Sequence, residues 1–199
     1  MKRFLLRSAK IRRTCSVLTV RVTAVLPAAF LLLGVLAAVA AIARTPAETI
    51  RGFGDAIIFS EDGASILSAY WKCARYHILA VLLSTSWLGV LLAPALLAVR
   101  GFTLCCTSAA LLLDYPEQGA LLPAAVLGIS NLISVPCLLL VSADAMRLSG
   151  RLAAARLGLR YGPSTGIETK HMLLGLGLML PVAAYEQQIL PKLVAWILH

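Results

Sequence analysis

This chain of 199 residues is 60% apolar, with eighteen basic and nine acidic side chains, more apolar surface than a soluble domain of its size can hide. Its mean hydropathy of +0.88 and its long apolar blocks indicate one integral membrane domain with short appendages and exclude two soluble domains. The net charge of +9 does not point to nucleic acid: residues 1–21 hold seven bases and no acid, residues 147–171 hold five bases against Glu168, and residues 44–75 balance four bases with four acids, the alternation of the positive-inside rule.

The expected fold is all-α: a polytopic membrane helical bundle of about five transmembrane helices, N-terminus in and C-terminus out. Residues 1–21 form a basic cytoplasmic tail and residues 22–199 a single membrane domain.

The first span reads as Val22–Ala43, about 33 Å at ~1.5 Å per residue, enough for a ~30 Å hydrocarbon core. Gly34 and its alanines give it a small-residue face. The block is longer than a signal-peptide h-region of about 7–15 residues, so it reads as an uncleaved signal-anchor helix. Residues 44–75 form the main extracytoplasmic segment. Thr45-Pro46-Ala47-Glu48 has the pattern of a capping box, Gly52 and Gly54 break the helix, and Ser60–Gly63 reads as a turn. Ile66–Arg75 leads helically into the second span, Tyr76–Val99, which Pro94 interrupts five residues after Gly89. Arg100-Gly101 then reads as a basic cytoplasmic turn.

Gly101–Leu113 reads as a short third crossing of about 20 Å. Charge favours a crossing over a hairpin, because a return would place loop 147–171 outside. Asp114–Gly119 is the outer turn. The fourth span, Ala120–Met146, carries Ser130, Asn131, Ser134 and Pro136 near its middle. Asp144 near its end is spaced to pair with Arg147. The basic cytoplasmic loop 147–171 opens amphipathically, with Arg147, Arg151, Arg156 and Arg160 placed to contact anionic lipid. Thr165–Glu168 repeats the capping-box pattern before the fifth span, Lys170–Leu190. Glu186 lies in its outer half, and Leu193–His199 with Trp196 suits an interfacial anchor.

The chemistry expected is non-enzymatic. The five cysteines are scattered without a metal-ligand or disulfide pattern. The three histidines sit near different bilayer boundaries, and no phosphate loop, nucleophile elbow or zinc-helix motif occurs. No catalytic, cofactor or metal residues are assigned. The polar groups at depth, Asn131 with Ser130 and Ser134, and Glu186, are helix-packing or partner-docking candidates, because polar groups in lipid must find partners.

Ala74-Arg75-Tyr76 opens the second span, Gly89 precedes the interrupting Pro94, Arg100-Gly101 joins a base to a glycine, Asn131-Leu132 precedes Val135-Pro136, and Glu186 stands before a proline-containing apolar tail. In this order and spacing the chain resembles the stage II sporulation protein M family, with its basic-residue-plus-glycine turn, its polar-then-proline stretch and its glutamate. The family often has asparagine in place of Cys73, glycine in place of Cys105 and proline in place of Ile129. The resemblance implies a scaffold of the engulfment machinery, recruiting or positioning the septal peptidoglycan hydrolases, stage II sporulation proteins D and P, in the mother-cell membrane. The competing class is a small-solute or ion transporter or channel subunit with a pathway near Asn131 and Glu186.

Overall fold

The computed structural model describes residues 25–51, 66–158 and 167–198, and every regular element among them is helical. α1 is Val25–Ile42 and α2 the single turn Ala47–Ile50. α3 is Ile66–Ser84 and α4 is Gly89–Asp114. After a 3-10 turn at Pro116–Gln118, α5 runs from Leu121 to Arg156 with a π-helical segment at Ala124–Gly128. α6 is Ile167–Gln188 and α7 is Leu190–Leu198.

Three of these, α1, α4 and α5, are long and apolar enough to cross a membrane. A fourth is added if α6 and α7, bent by 40° at Ile189, count as one broken span. The bend has a covalent cause: Pro191 has no N–H to return to the carbonyl four residues back. α3 falls short of the same test among these helices; it carries Lys72, Arg75 and His77 within its 19 residues.

The division of the second and third spans differs from the sequence reading. The chain breaks at Thr85–Leu88, not at Arg100-Gly101, and Gly89–Asp114 is one helix of 26 residues. At the break, Ser84, Thr85 and Ser86 offer hydroxyls that compete with the helix for backbone groups: the Ser84 hydroxyl donates to the Val81 carbonyl at 2.6 Å and that of Thr85 to the Leu82 carbonyl at 2.7 Å. Gly89 is required there because a Cβ would strike the Leu83 carbonyl and the Ser149 hydroxyl. Pro94 is buried in the second turn of α4 and does not end it. The short third crossing therefore does not exist as a separate element.

Two further expectations are corrected. Thr45 does not cap α2: its hydroxyl donates back to Ala41 at 2.9 Å, and no side chain caps that turn. Residues 147–156 are not a separate surface segment but the last turns of α5. Leu148 packs on the main core, and Arg147 is drawn into an ion pair with Asp144. The basic tail, residues 52–65 with their glycine and turn signals, Arg160 and the Thr165–Glu168 capping box, apart from the helical start at Ile167, lie outside the described residues.

α3 occupies the middle of the bundle, packed against α4, α5 and α6. The main core joins Tyr76 and Ala80 of α3 to Ala93 and Leu97 of α4, Leu138 and Val141 of α5 and Met172 of α6. A second cluster joins Ala74 to Cys137, Met179 and Val182. α7 folds over one end, where Val194 packs with Leu111 and Leu122 beside Val126 and Leu127 of the π segment. α1 crosses α4 almost backbone to backbone: a Cβ on Gly34 would meet the Ala98 carbonyl, and one on Gly101 the Leu31 carbonyl. Small residues allow that approach.

Candidate functional site

Arg100 lies inside α4 with apolar residues on both sides. A guanidinium at membrane depth is costly unless it finds partners; the bundle supplies one hydrogen bond and an aromatic face, while Arg100 Nε has no hydrogen-bond partner among the described residues. Its NH2 donates to Asn131 Oδ1 on α5 at 2.8 Å. Its guanidinium stands 5.0 Å from the centroid of the Tyr76 ring on α3, within cation–π range. Glu186 on α6 is near enough for its charge to act on Arg100. The site is therefore a polar junction of α3, α4 and α5 around Arg100, with Glu186 of α6 and Arg75 of α3 both within electrostatic range of it.

Asn131 is used at both ends of its amide. While Oδ1 accepts from Arg100, Nδ2 donates to the Leu127 carbonyl at 2.6 Å. Leu127 belongs to the π segment, where the regular i→i−4 ladder is interrupted. The amide thus ties a helix irregularity to a helix contact. Glu186 Oε2 accepts from the Cys73 thiol on α3 at 2.9 Å, and the Tyr70 hydroxyl donates to the Leu176 carbonyl at 3.3 Å. Arg75, exposed on α3, also stands 5.0 Å from the Tyr76 ring.

Deeper along α3, His77 is 0% exposed. Its imidazole packs beside Gly175, whose missing side chain leaves room for it and for the Cys137 thiol. Neither ring nitrogen reaches a hydrogen-bond partner among the described residues, although the backbones of Cys73 and Ser134 are nearby. Ser130 and Ser134 are buried on α5, and the Ser130 hydroxyl has no partner among the described residues. Pro136 is exposed on the outer face of the same helix.

A second polar cluster holds the other end of the bundle. Asp144 on α5, 3% exposed, accepts from Arg147 at 2.9 Å through Oδ1 and faces His171 Nδ1 of α6 at 2.9 Å through Oδ2. The expected Asp144–Arg147 pair is formed, and His171 makes it a bridge between helices. The Ser149 hydroxyl donates to the Leu83 carbonyl at 3.1 Å, with the Ser84 carbonyl at 3.4 Å.

The structure joins Arg100 to Asn131 and Glu186 to Cys73, while Gly89 and Gly101 shape helix contacts and Pro94 is buried in α4. Arg151 is half-buried and Arg156 exposed on the last turns of α5. Sequence reasoning missed Arg100 as a residue at depth, and with it Tyr76 and Cys73. The available signal was Ser84-Thr85-Ser86 before Gly89, a turn cluster stronger than Arg100-Gly101. Chemically the junction can fix helices relative to one another. Among the described residues no group of three or more His, Cys, Asp or Glu side chains is arranged to hold a metal.

The fold and this junction define a multi-helix bundle of membrane character. No family model, no curated protein and no solved structure matches the chain.

Proposed function

We propose that this chain is a non-enzymatic membrane scaffold that crosses the bilayer five times, N-terminus in and C-terminus out. Its proposed task is to recruit or position peptidoglycan hydrolases, stage II sporulation proteins D and P, in the engulfing mother-cell membrane. The partner assignment rests on the family resemblance of the Arg75–Tyr76, Arg100-Gly101, Asn131–Pro136 and Glu186 segments. Of the resembling polar positions, Asn131 hydrogen-bonds Arg100, and Glu186 accepts from Cys73 within electrostatic range of Arg100.

The five-crossing reading is supported by the placement of α3. Its middle meets Glu186 near the end of α6, through Cys73. Its C-terminal end meets Ser149 near the end of α5, through Leu83 and Ser84. α5 and α6 are antiparallel, and α3 packs against both. Neighbouring helices enclose its Tyr76 and His77, whereas Lys72 and Arg75 are exposed.

The observation that carries the scaffold reading over transport is the use of the polar groups at depth. Asn131 spends both ends of its amide on Arg100 and Leu127, and Glu186 accepts from Cys73. Groups engaged with one another stiffen a bundle; a conduction pathway needs groups that can exchange partners with the solute. The test is co-purification of the two hydrolases from sporulating cells with wild-type chain and with Asn131→Leu and Glu186→Leu, normalised to the amount of scaffold in the membrane. Reduced recruitment is expected. Full recruitment and normal engulfment in both variants and in the double variant would remove the assignment. Normal recruitment with a lost solute flux would replace it by transport.

A further inference from the structure

The turn between α3 and α4 and the last turns of α5 enclose a cleft of about 490 Å³, lined by Thr85, Ser86, Trp87, Leu152, Ala155 and Arg156. A helix end normally presents bare carbonyl oxygens, which repel anions. At the end of α3 those acceptors are occupied. The Val81 carbonyl takes the Ser84 hydroxyl, the Leu82 carbonyl that of Thr85, and the Leu83 and Ser84 carbonyls face the Ser149 hydroxyl.

Two side chains of the lining keep donors to offer beside the C-terminal turn of α5, and a third carries a positive charge. The Leu88 N–H donates to Ser86 Oγ at 3.3 Å, which leaves the Ser86 proton for an outside acceptor. Trp87 carries an indole N–H that can only donate. Arg156 is exposed and has no ion-pair partner among the described residues. The lining contains no acid. Leu88, Leu91 and Leu92, which share one face of the following helix at i, i+3 and i+4, are all exposed, Leu91 at 71%. An anion-accepting cleft thus opens onto an apolar track, with a tryptophan at the junction, where membrane proteins place aromatic anchors.

We infer that this cleft binds the phosphate of an anionic phospholipid headgroup. Arg156 provides the charge, Ser86 and Trp87 provide neutral donors, and the acyl chains run along Leu88, Leu91 and Leu92. The track of leucines selects a lipid over a free phosphate ion. The inference rests on the membrane character of the bundle and is independent of the scaffold reading and its partners.

The test is native mass spectrometry of the purified full chain in detergent micelles, titrated with phosphatidylglycerol or phosphatidylcholine. The wild-type chain is expected to retain phosphatidylglycerol in preference to phosphatidylcholine. Arg156→Gln should cut that retention about fivefold, the effect of one basic residue at an anionic surface. Arg156→Lys should keep most of it, and Arg44→Gln, which removes an exposed charge outside the cleft, should match wild type. Equal retention of the two lipids, or unchanged retention in Arg156→Gln, overturns the site. So does displacement of phosphatidylglycerol by millimolar inorganic phosphate, which would make it a soluble-anion site.

Discussion

Arg100 and Asn131, 31 residues apart in sequence, meet at 2.8 Å between α4 and α5. The same asparagine closes on the Leu127 carbonyl inside a π-helical segment. A buried group that loses its partner costs about 1–3 kcal/mol, whereas hydrogen bonds measured within membranes average ~0.6 kcal/mol. Asn131→Leu should therefore destabilise the purified chain within that span. Arg100→Met should do the same, and the double variant should be less destabilised than the sum of the two. Reversible denaturation in mixed micelles measures the cycle; strict additivity would show that the contact is not energetically coupled.

Glu186 lies within electrostatic range of Arg100 and accepts from the Cys73 thiol. Where two opposite charges offset each other away from water, removing one leaves the other uncompensated. Glu186→Leu alone should lower the level of folded chain in the membrane, and Arg100→Leu combined with Glu186→Leu should recover part of it. Quantitative blotting of membrane fractions, with size-exclusion profiles for folding, is the readout. A double variant worse than either single one contradicts the balance.

Close helix contact at α1 and α4 depends on two glycines facing opposite backbones, Gly34 toward Ala98 and Gly101 toward Leu31. Gly101→Leu should destabilise by at least the ~1–3 kcal/mol typical of overpacking, since the obstacle is a backbone carbonyl that cannot rotate away. Gly177→Ala, on α6 with open space around it, should be neutral or stabilising by up to about 1 kcal/mol, the helix-propensity gain. Thermal melts in detergent compare the two; similar loss in both would mean that glycine contact with α1 is not the cause.

Topology is read by labelling single cysteines introduced in a cysteine-free background. Because the turn after α3 lies at Thr85–Leu88 and the next at Tyr115–Ala120, a cysteine at residue 86 should be protected from impermeant reagent in intact cells. One at residue 117 should react. Residue 155, near the cleft at the end of α5, should behave like 86. Reaction of 86 and 117 from the same side would show that α4 does not cross.

The membrane character and the helical class of this protein were legible in composition alone, since a block of about twenty apolar residues has few alternatives to a helix in lipid. So was the Asp144–Arg147 pair, because i,i+3 neighbours on one helix need no tertiary information. The division between α3 and α4 was not. A single arginine in an apolar run reads as a membrane boundary when its partners are unknown, and those of Arg100, Tyr76 and Asn131, come from two other helices. The same holds for His171 against Asp144, and for Trp87 against Arg156, which come together only once the helices pack. Hydropathy reports the cost of placing a charge in lipid. Whether that cost is met depends on groups distant in the chain, and only the packed bundle decides it.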